Sequence, residues 1–182
     1  MPNNTQTTGL TLGWGNPKMF VKNLTAANGA WVKLPDAAEG TVQLTPTKGD
    51  KVEANIEDGT AEATRYKKSK YAMAYGIREA AEREMPIEHE DGVVTDEYGF
   101  ILIPENENAK GIYIERSSVS VEDPFNAADG GVYTYTHDAL KPSSGKTVKR
   151  GVIKVTEGTG GALTFQAKGK DFGSADTFVD IG

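Results

Sequence analysis

The chain contains no cysteine, which excludes a disulfide scaffold, thiolate metal sites and cysteine nucleophiles, and leaves the compartment open. Histidine is almost as scarce. His89 and His137 are the only 2; they lie far apart with no H-E-x-x-H spacing, so each reads as a surface side chain and not as a metal ligand or catalytic base. No apolar run approaches a bilayer span, and nothing near Met1 joins a basic start to an apolar stretch, so neither a membrane anchor nor a signal peptide is expected. Basic charge is also short: 20 Lys and Arg stand against 26 Asp and Glu, giving a net charge of -6. Affinity for phosphate backbones needs clustered cations, so an acidic surface of this kind repels DNA.

What is present points to strands. At 182 residues the chain suffices for one domain with a core, and 21 glycines with 8 prolines break it into short segments, the pattern of a β-rich fold with many turns. Residues 1–15 are polar and read as a flexible arm; its apolar anchors Leu10, Leu12 and Trp14 alternate, so it is able to add a strand to a neighbouring copy. Residues 16–182 form one β domain, an antiparallel sandwich or barrel of two packed sheets with one short helix. Short strands are expected around Met19–Val21, Trp31–Leu34, Val132–Thr136, Val148–Val155 and Leu163–Ala167. The run Phe100-Ile101-Leu102-Ile103 is apolar throughout, as in a strand covered on both faces. Ile112 and Ile114 occupy even positions whereas Val119 and Val121 occupy odd ones, so a bulge is expected near Ser117-Ser118. In Tyr71, Met73, Tyr75 and Ile77 the large residues share one face, with Ala72, Ala74 and Gly76 behind. The one credible helix is residues 78–84, with Glu79 and Arg83 spaced i,i+4 and Pro86 as its stop.

The stretch between Val42 and Ile77 carries the most specific local signal. Val52, Ala54 and Ile56 alternate with polar residues up to Asp58-Gly59, and an Asp-Gly pair suits a two-residue type I′ hairpin turn. The returning arm is weakly apolar, so the hairpin gains little from its own side chains and needs a neighbour.

Chemical motifs are few. Ser143-Ser144-Gly145-Lys146-Thr147 resembles the tail of a phosphate-binding loop, but Leu140 stands where the first glycine belongs and the context is strand–turn–strand. Asp123, Asn126 and Asp129 offer oxygen ligands without the order or closing Glu of a calcium loop, and read as an ordinary turn. The acids from Glu79 to Glu97 read as a solvated loop. No enzyme signature and no cofactor site emerges.

The segments Gly99–Glu105, Gly111–Asp123, Asp129–Thr136 and Ala139–Pro142, with the earlier hairpin, basic step Lys67-Lys68-Ser69-Lys70 and following strand, resemble phage major tail tube proteins, particularly those of long-tailed phages infecting Bacteroidetes. The resemblance covers residues 31–165. It implies two packed antiparallel sheets with a helix at the side, assembled as hexameric rings stacked into a tube through which DNA passes without specific binding. Its implied setting is the virion tail, assembled in the host bacterial cytoplasm. The partners it implies are further copies, a tail terminator, a tape measure and a baseplate. On this expectation Glu57, Asp58, Gly59 and Thr60 form a contact between successive rings, Glu53, Asn55, Glu57 and Glu62 line an acidic lumen, and Leu10, Leu12 and Trp14 become ordered on assembly. Three readings compete: another virion protein such as a terminator or capsid decoration protein, a carbohydrate-binding adhesion module using Tyr133 and Tyr135, and a hydrolase on a β scaffold.

Overall fold

A strand apolar at every position is stable only where both of its faces are covered. The computed structural model describes residues 10–182 and meets that requirement at Phe100, Ile101, Leu102 and Ile103, all of them buried. The expectations placed on residues 1–9 lie outside the described residues. The described strands are β1 (Lys18–Asn23), β2 (Trp31–Lys33), β3 (Gln43–Thr47), β4 (Lys51–Asn55), β5 (Ala61–Tyr66), β6 (Lys70–Arg78) and β7 (Val93–Ile103). They continue as β8 (Gly111–Glu122), β9 (Phe125–Asn126), β10 (Gly130–Ala139), β11 (Lys149–Glu157), β12 (Leu163–Gly169) and β13 (Ser174–Ile181).

Every pairing is antiparallel, as the composition leads one to expect, but both layers come from one sheet of 11 strands that forks. β7 runs between β1 and β8, and β2 extends the β1 side. The other edge of β8 is shared. Its Gly111–Tyr113 portion pairs with β11, which leads on to β12 and β13, whereas its Ser117–Glu122 portion pairs with β10, which leads on to β6 and β3. The two branches curl over opposite faces of the β1–β7–β8 centre. Met19, Phe100, Ile114 and Val121 therefore meet Met73, Tyr75, Ile77 and Tyr135 in one core. Phe20, Ile101, Ile103 and Tyr113 meet Ile153, Phe165 and Ala167 in the other. The large-residue face of β6 is buried as expected, and the small residue Gly76 lets Thr41 and Val132 approach closely from behind.

The fork depends on a bulge. Tyr98 pairs with Ser117 and Phe100 with Ile114, so two steps of β7 face three of β8. The extra residue lies within Glu115-Arg116, just before the expected Ser117-Ser118. It allows Ile114 and Ser117, three apart in sequence, to reach the same core.

Residues 78–84 are not helical. The Glu79 N–H donates to the Gly131 carbonyl at 2.9 Å, which carries the β6–β10 ladder one residue further, and Arg83 N–H closes a single turn onto Ala80 O at 3.0 Å. The Arg83 guanidinium donates to the Arg78 carbonyl at 2.6 Å. An isolated seven-residue helix is marginal in water, so a ladder bond and one Arg-capped turn prevail over local propensity. The helical pieces among the described residues are two 3-10 turns, Thr159–Gly161 and Lys170–Phe172.

His137 is a second correction, being fully buried and not at the surface. A carbonyl only accepts, so the Ser117 hydroxyl donates to Tyr98 O at 2.7 Å and must itself accept from His137 Nδ1–H at 2.8 Å. His137 Nε2 then accepts from the Tyr75 hydroxyl at 3.0 Å. This network fixes the neutral ring tautomer. Burial pushes the imidazole down to about 3. The Tyr135 hydroxyl is buried without a partner among the described residues. A buried orphan hydroxyl costs about 1 kcal/mol or more, so Tyr135→Phe is expected to leave stability unchanged or raise it by about 1 kcal/mol in urea denaturation.

Candidate assembly surface

The β4–β5 ribbon forms a sheet of its own, and every residue in both strands is exposed. Its root is tied by Lys67 N–H to Asp50 O at 2.9 Å and by a 3.1 Å Lys67–Asp50 ion pair. Register places Lys51, Glu53, Thr64 and Tyr66 on one side and Val52, Ala54, Ala63 and Arg65 on the other. One side is thus polar and the other largely apolar. A lone two-stranded ribbon is marginal in water, since each cross-strand pair contributes only about 0.2–1 kcal/mol.

The tip differs from the expected type I′ turn. Gly59 N–H donates to Ile56 O at 2.9 Å and Ile56 N–H to Thr60 O at 3.0 Å, which leaves Glu57, Asp58 and Gly59 as the loop. Gly59 has φ +86° whereas Asp58 is not in the left-handed region. This is a type I turn closed by a left-handed glycine, the common three-residue alternative. Thr60 N–H donates to Asp58 Oδ1 at 2.8 Å, and this backbone bond holds the Asp58 carboxyl below its ordinary range.

The structure puts all four acidic-face candidates on this ribbon. Glu53 and Asn55 lie in β4, Glu57 in the tip and Glu62 in β5, and all are exposed. Glu53 is ion-paired with Lys51 on the same side, which offsets part of that face's negative charge. Leu10, Leu12 and Trp14 are 62%, 43% and 55% exposed and belong to no strand. Gly13, between Leu12 and Trp14, lies against Pro104 and Ala109 of the β7–β8 turn, and further on Asn16 N–H donates to Glu105 at 3.2 Å.

Open edges complete this surface. β13 and β3 end the main path of the sheet, and β2 pairs only with β1. Pro46 lies within β3, where the missing N–H is tolerated because the strand is an edge.

The remaining sequence candidates are occupied by structural duties. Ser143 N–H donates to Glu115 at 2.8 Å and Lys146 pairs with Asp171 at 2.7 Å, so the β10–β11 loop spends its donors on its own carboxylates. Asn126 Oδ1 accepts from Ala128 N–H at 3.0 Å, and the Asp129 carbonyl accepts from Arg78 at 3.1 Å. Among the described residues no group of three or more His, Asp or Glu could hold a metal ion. His89 is half-buried and accepts from Gly92 N–H at 3.1 Å, fixing the turn before β7. Tyr135 is buried and Tyr133 half-buried, so the pair does not form the exposed aromatic groove that a sugar-binding module needs. Among the described residues no helix is long and apolar enough to cross a membrane.

A cleft that the sequence did not announce has a volume of about 810 Å³ and runs between β2, the β8 bulge, the β10–β11 loop and the end of β13. Most of its charges are matched within the chain, Lys22 and Asp180 being the ones with no ion pair among the described residues. Glu97 takes two 2.9 Å bonds from Arg116, and Lys149 approaches Glu115 at 3.4 Å. Partial burial alone pushes the Glu115 and Asp171 carboxyls up, but donors from Ser143 and Lys149 on the former, and from Lys146 and Arg150 on the latter, bring both below their ordinary range. Trp31 forms part of the floor, and its indole N–H is buried without an acceptor among the described residues. Sequence alone gives no signal for this cleft, because its walls come from segments more than 100 residues apart.

No protein-family model matches this chain, and no curated protein or solved structure is significantly similar to it.

Proposed function

We propose that this protein is a structural subunit of a phage tail, joining further copies in stacked rings to form the hollow tube through which DNA passes. The observation that carries this reading is the β4–β5 ribbon, a hairpin exposed on both faces that has one apolar side and no sheet neighbour among the described residues. Such a ribbon gains its missing burial from another molecule. The outer edges of β3 and β13 support the same reading, since each is able to take main-chain bonds from another copy. The net charge of -6 suits a conduit that does not retain DNA. On this reading the chain works in the virion tail after assembly in the bacterial cytoplasm, beside a terminator, a tape measure and a baseplate, and performs no catalysis.

The tip Glu57-Asp58-Gly59-Thr60 is the contact between rings, and Glu53, Asn55, Glu57 and Glu62 keep the bore acidic. Deletion of residues 57–60 is expected to leave the subunit folded, because no core residue lies in the ribbon, and to shorten or abolish tubes in electron micrographs. Tubes of unchanged length from the deletion variant would remove the ribbon from the ring contact.

A further inference from the structure

The branch of the sheet that encloses Phe165 is a barrel left open along one seam. Its strand order runs β2-β1-β7-β8-β11-β12-β13, so β2 and β13 are its two ends. These ends approach each other. The Trp31 ring lies 5.2 Å from the Phe165 ring of β12, and Gly182, directly after β13, is against the indole edge. They do not pair, and the 810 Å³ cleft opens beside the seam, with a second one of about 600 Å³ sharing Trp31, Asp180, Ile181 and Gly182.

Three properties of this seam describe what would fill it. Two strand edges offer main-chain donors and acceptors, so the occupant is an extended chain. The floor of Leu24, Trp31, Tyr113, Phe172, Val179 and Ile181 is apolar; of the rim charges Glu97, Glu115 and Asp171 are matched by Arg116, Lys149 and Lys146, which leaves one cation, Lys22, and one anion, Asp180, so the occupant carries no net charge and is apolar on one side. The buried Trp31 N–H lacks an acceptor among the described residues, and a buried donor in that state gains from a carbonyl brought to it.

Leu10-Thr11-Leu12-Gly13-Trp14 has that character. It is uncharged, and in an extended chain its large residues fall on one side with Thr11 and Gly13 on the other. Through Gly13 it lies against the β7–β8 turn of its own subunit, near Lys18 at the start of β1, whereas Trp31 pairs with Lys22 near the other end of β1. Donor segment and acceptor seam therefore belong to different ends of the same strand. A donor and an acceptor at separate places allow a head-to-tail contact that continues from one copy to the next, whereas reciprocal exchange would stop at a pair. We propose that Leu10–Trp14 of one copy adds as a strand to the β2–β13 seam of the next, displacing Gly182 from the indole edge so that one of the added strand's carbonyls accepts from Trp31 Nε1. The proposal deepens the tail-tube reading by naming where the arm of a second copy is held.

The cysteine-free chain makes this directly testable. Full-length Thr11→Cys protein is mixed with full-length Asp180→Cys protein under mild oxidation, and with Thr45→Cys protein, on the β3 edge, as the comparison. The Asp180→Cys mixture is expected to give a disulfide-linked heterodimer in several-fold higher yield than the Thr45→Cys mixture. Adding Trp31→Phe to the Asp180→Cys chain, which keeps an aromatic ring but removes the donor, is expected to slow trapping several-fold without lowering the subunit's thermal midpoint. Equal yields for the two mixtures, or no heterodimer at all, would overturn the seam assignment; trapping unaffected by Trp31→Phe would overturn the role of the indole. Trapping without tubes in the microscope would instead count against the tube while leaving the seam, and tubes without trapping would do the reverse.

Discussion

Lowering the pH from 7 to 4 is expected to remove about 3 kcal/mol of folding stability through His137 alone. The folded imidazole titrates at about 3 because it is fully buried, whereas in the unfolded chain it titrates near the ordinary value of about 6.5. Between those limits the unfolded state holds a proton that the folded state does not, so stability falls as pH falls, by about 1.4 kcal/mol per pH unit, and stops falling below about 3. His137→Phe preserves the stacking volume beside Tyr75 and Phe100 but leaves the Tyr75 hydroxyl without its acceptor. The variant is therefore expected to be about 1–3 kcal/mol less stable at pH 7, and to lose less on acidification. Its stability and that of the unmodified protein should converge or cross between pH 4 and pH 6. Urea denaturation at half-unit pH steps checks this, and two parallel curves would show that His137 does not set the acid limit.

Phe100→Ala is expected to cost about 3–5 kcal/mol, the usual range for emptying a phenylalanine site in a packed core. Phe100 is fully buried, with ring centroids 5.6 Å from Tyr75 and 5.1 Å from His137. β7 cannot move to refill the space, because its alternate residues are held in the second core. Phe125→Ala, at a position 76% exposed, should change subunit stability by no more than about 0.5 kcal/mol. Similar unfolding midpoints for the two variants would mean that the β1–β7–β8 centre is not the core of this fold.

The sequence makes the centre of the fold readable and its outer parts less so, for a physical reason. Phe100–Ile103 and the switch of phase after Ile114 are consequences of burial, which leaves an unbroken apolar run where both faces are covered and a periodicity of two where one is, and both occur in the structure. The row Tyr133, Tyr135, His137 has the same periodicity and would have placed His137 inside; its polarity argued the other way until Tyr75 and Ser117 supplied partners from distant strands. Residues 78–84 have helix-forming composition, but the decisive bond is Glu79 N–H to Gly131 O, and the sequence gives no indication of that partner. The Asp58-Gly59 turn was visible as a turn, yet its type depends on the φ of Asp58, which an Asp-Gly pair permits on either side of zero. β13 carries Asp176 and Asp180 at exposed positions, so its side chains give little apolar pattern to read. The cleft beside it arises only when the β10–β11 loop and the chain end meet β2.

The central claim is that the ribbon and open edges of one subunit are completed by others of the same kind. Negative-stain electron microscopy of the purified full-length protein across a range of concentrations tests it most directly. Hollow rings or tubes with a continuous bore are the predicted result; compact single particles at every concentration, with no rings and no tubes, would contradict it.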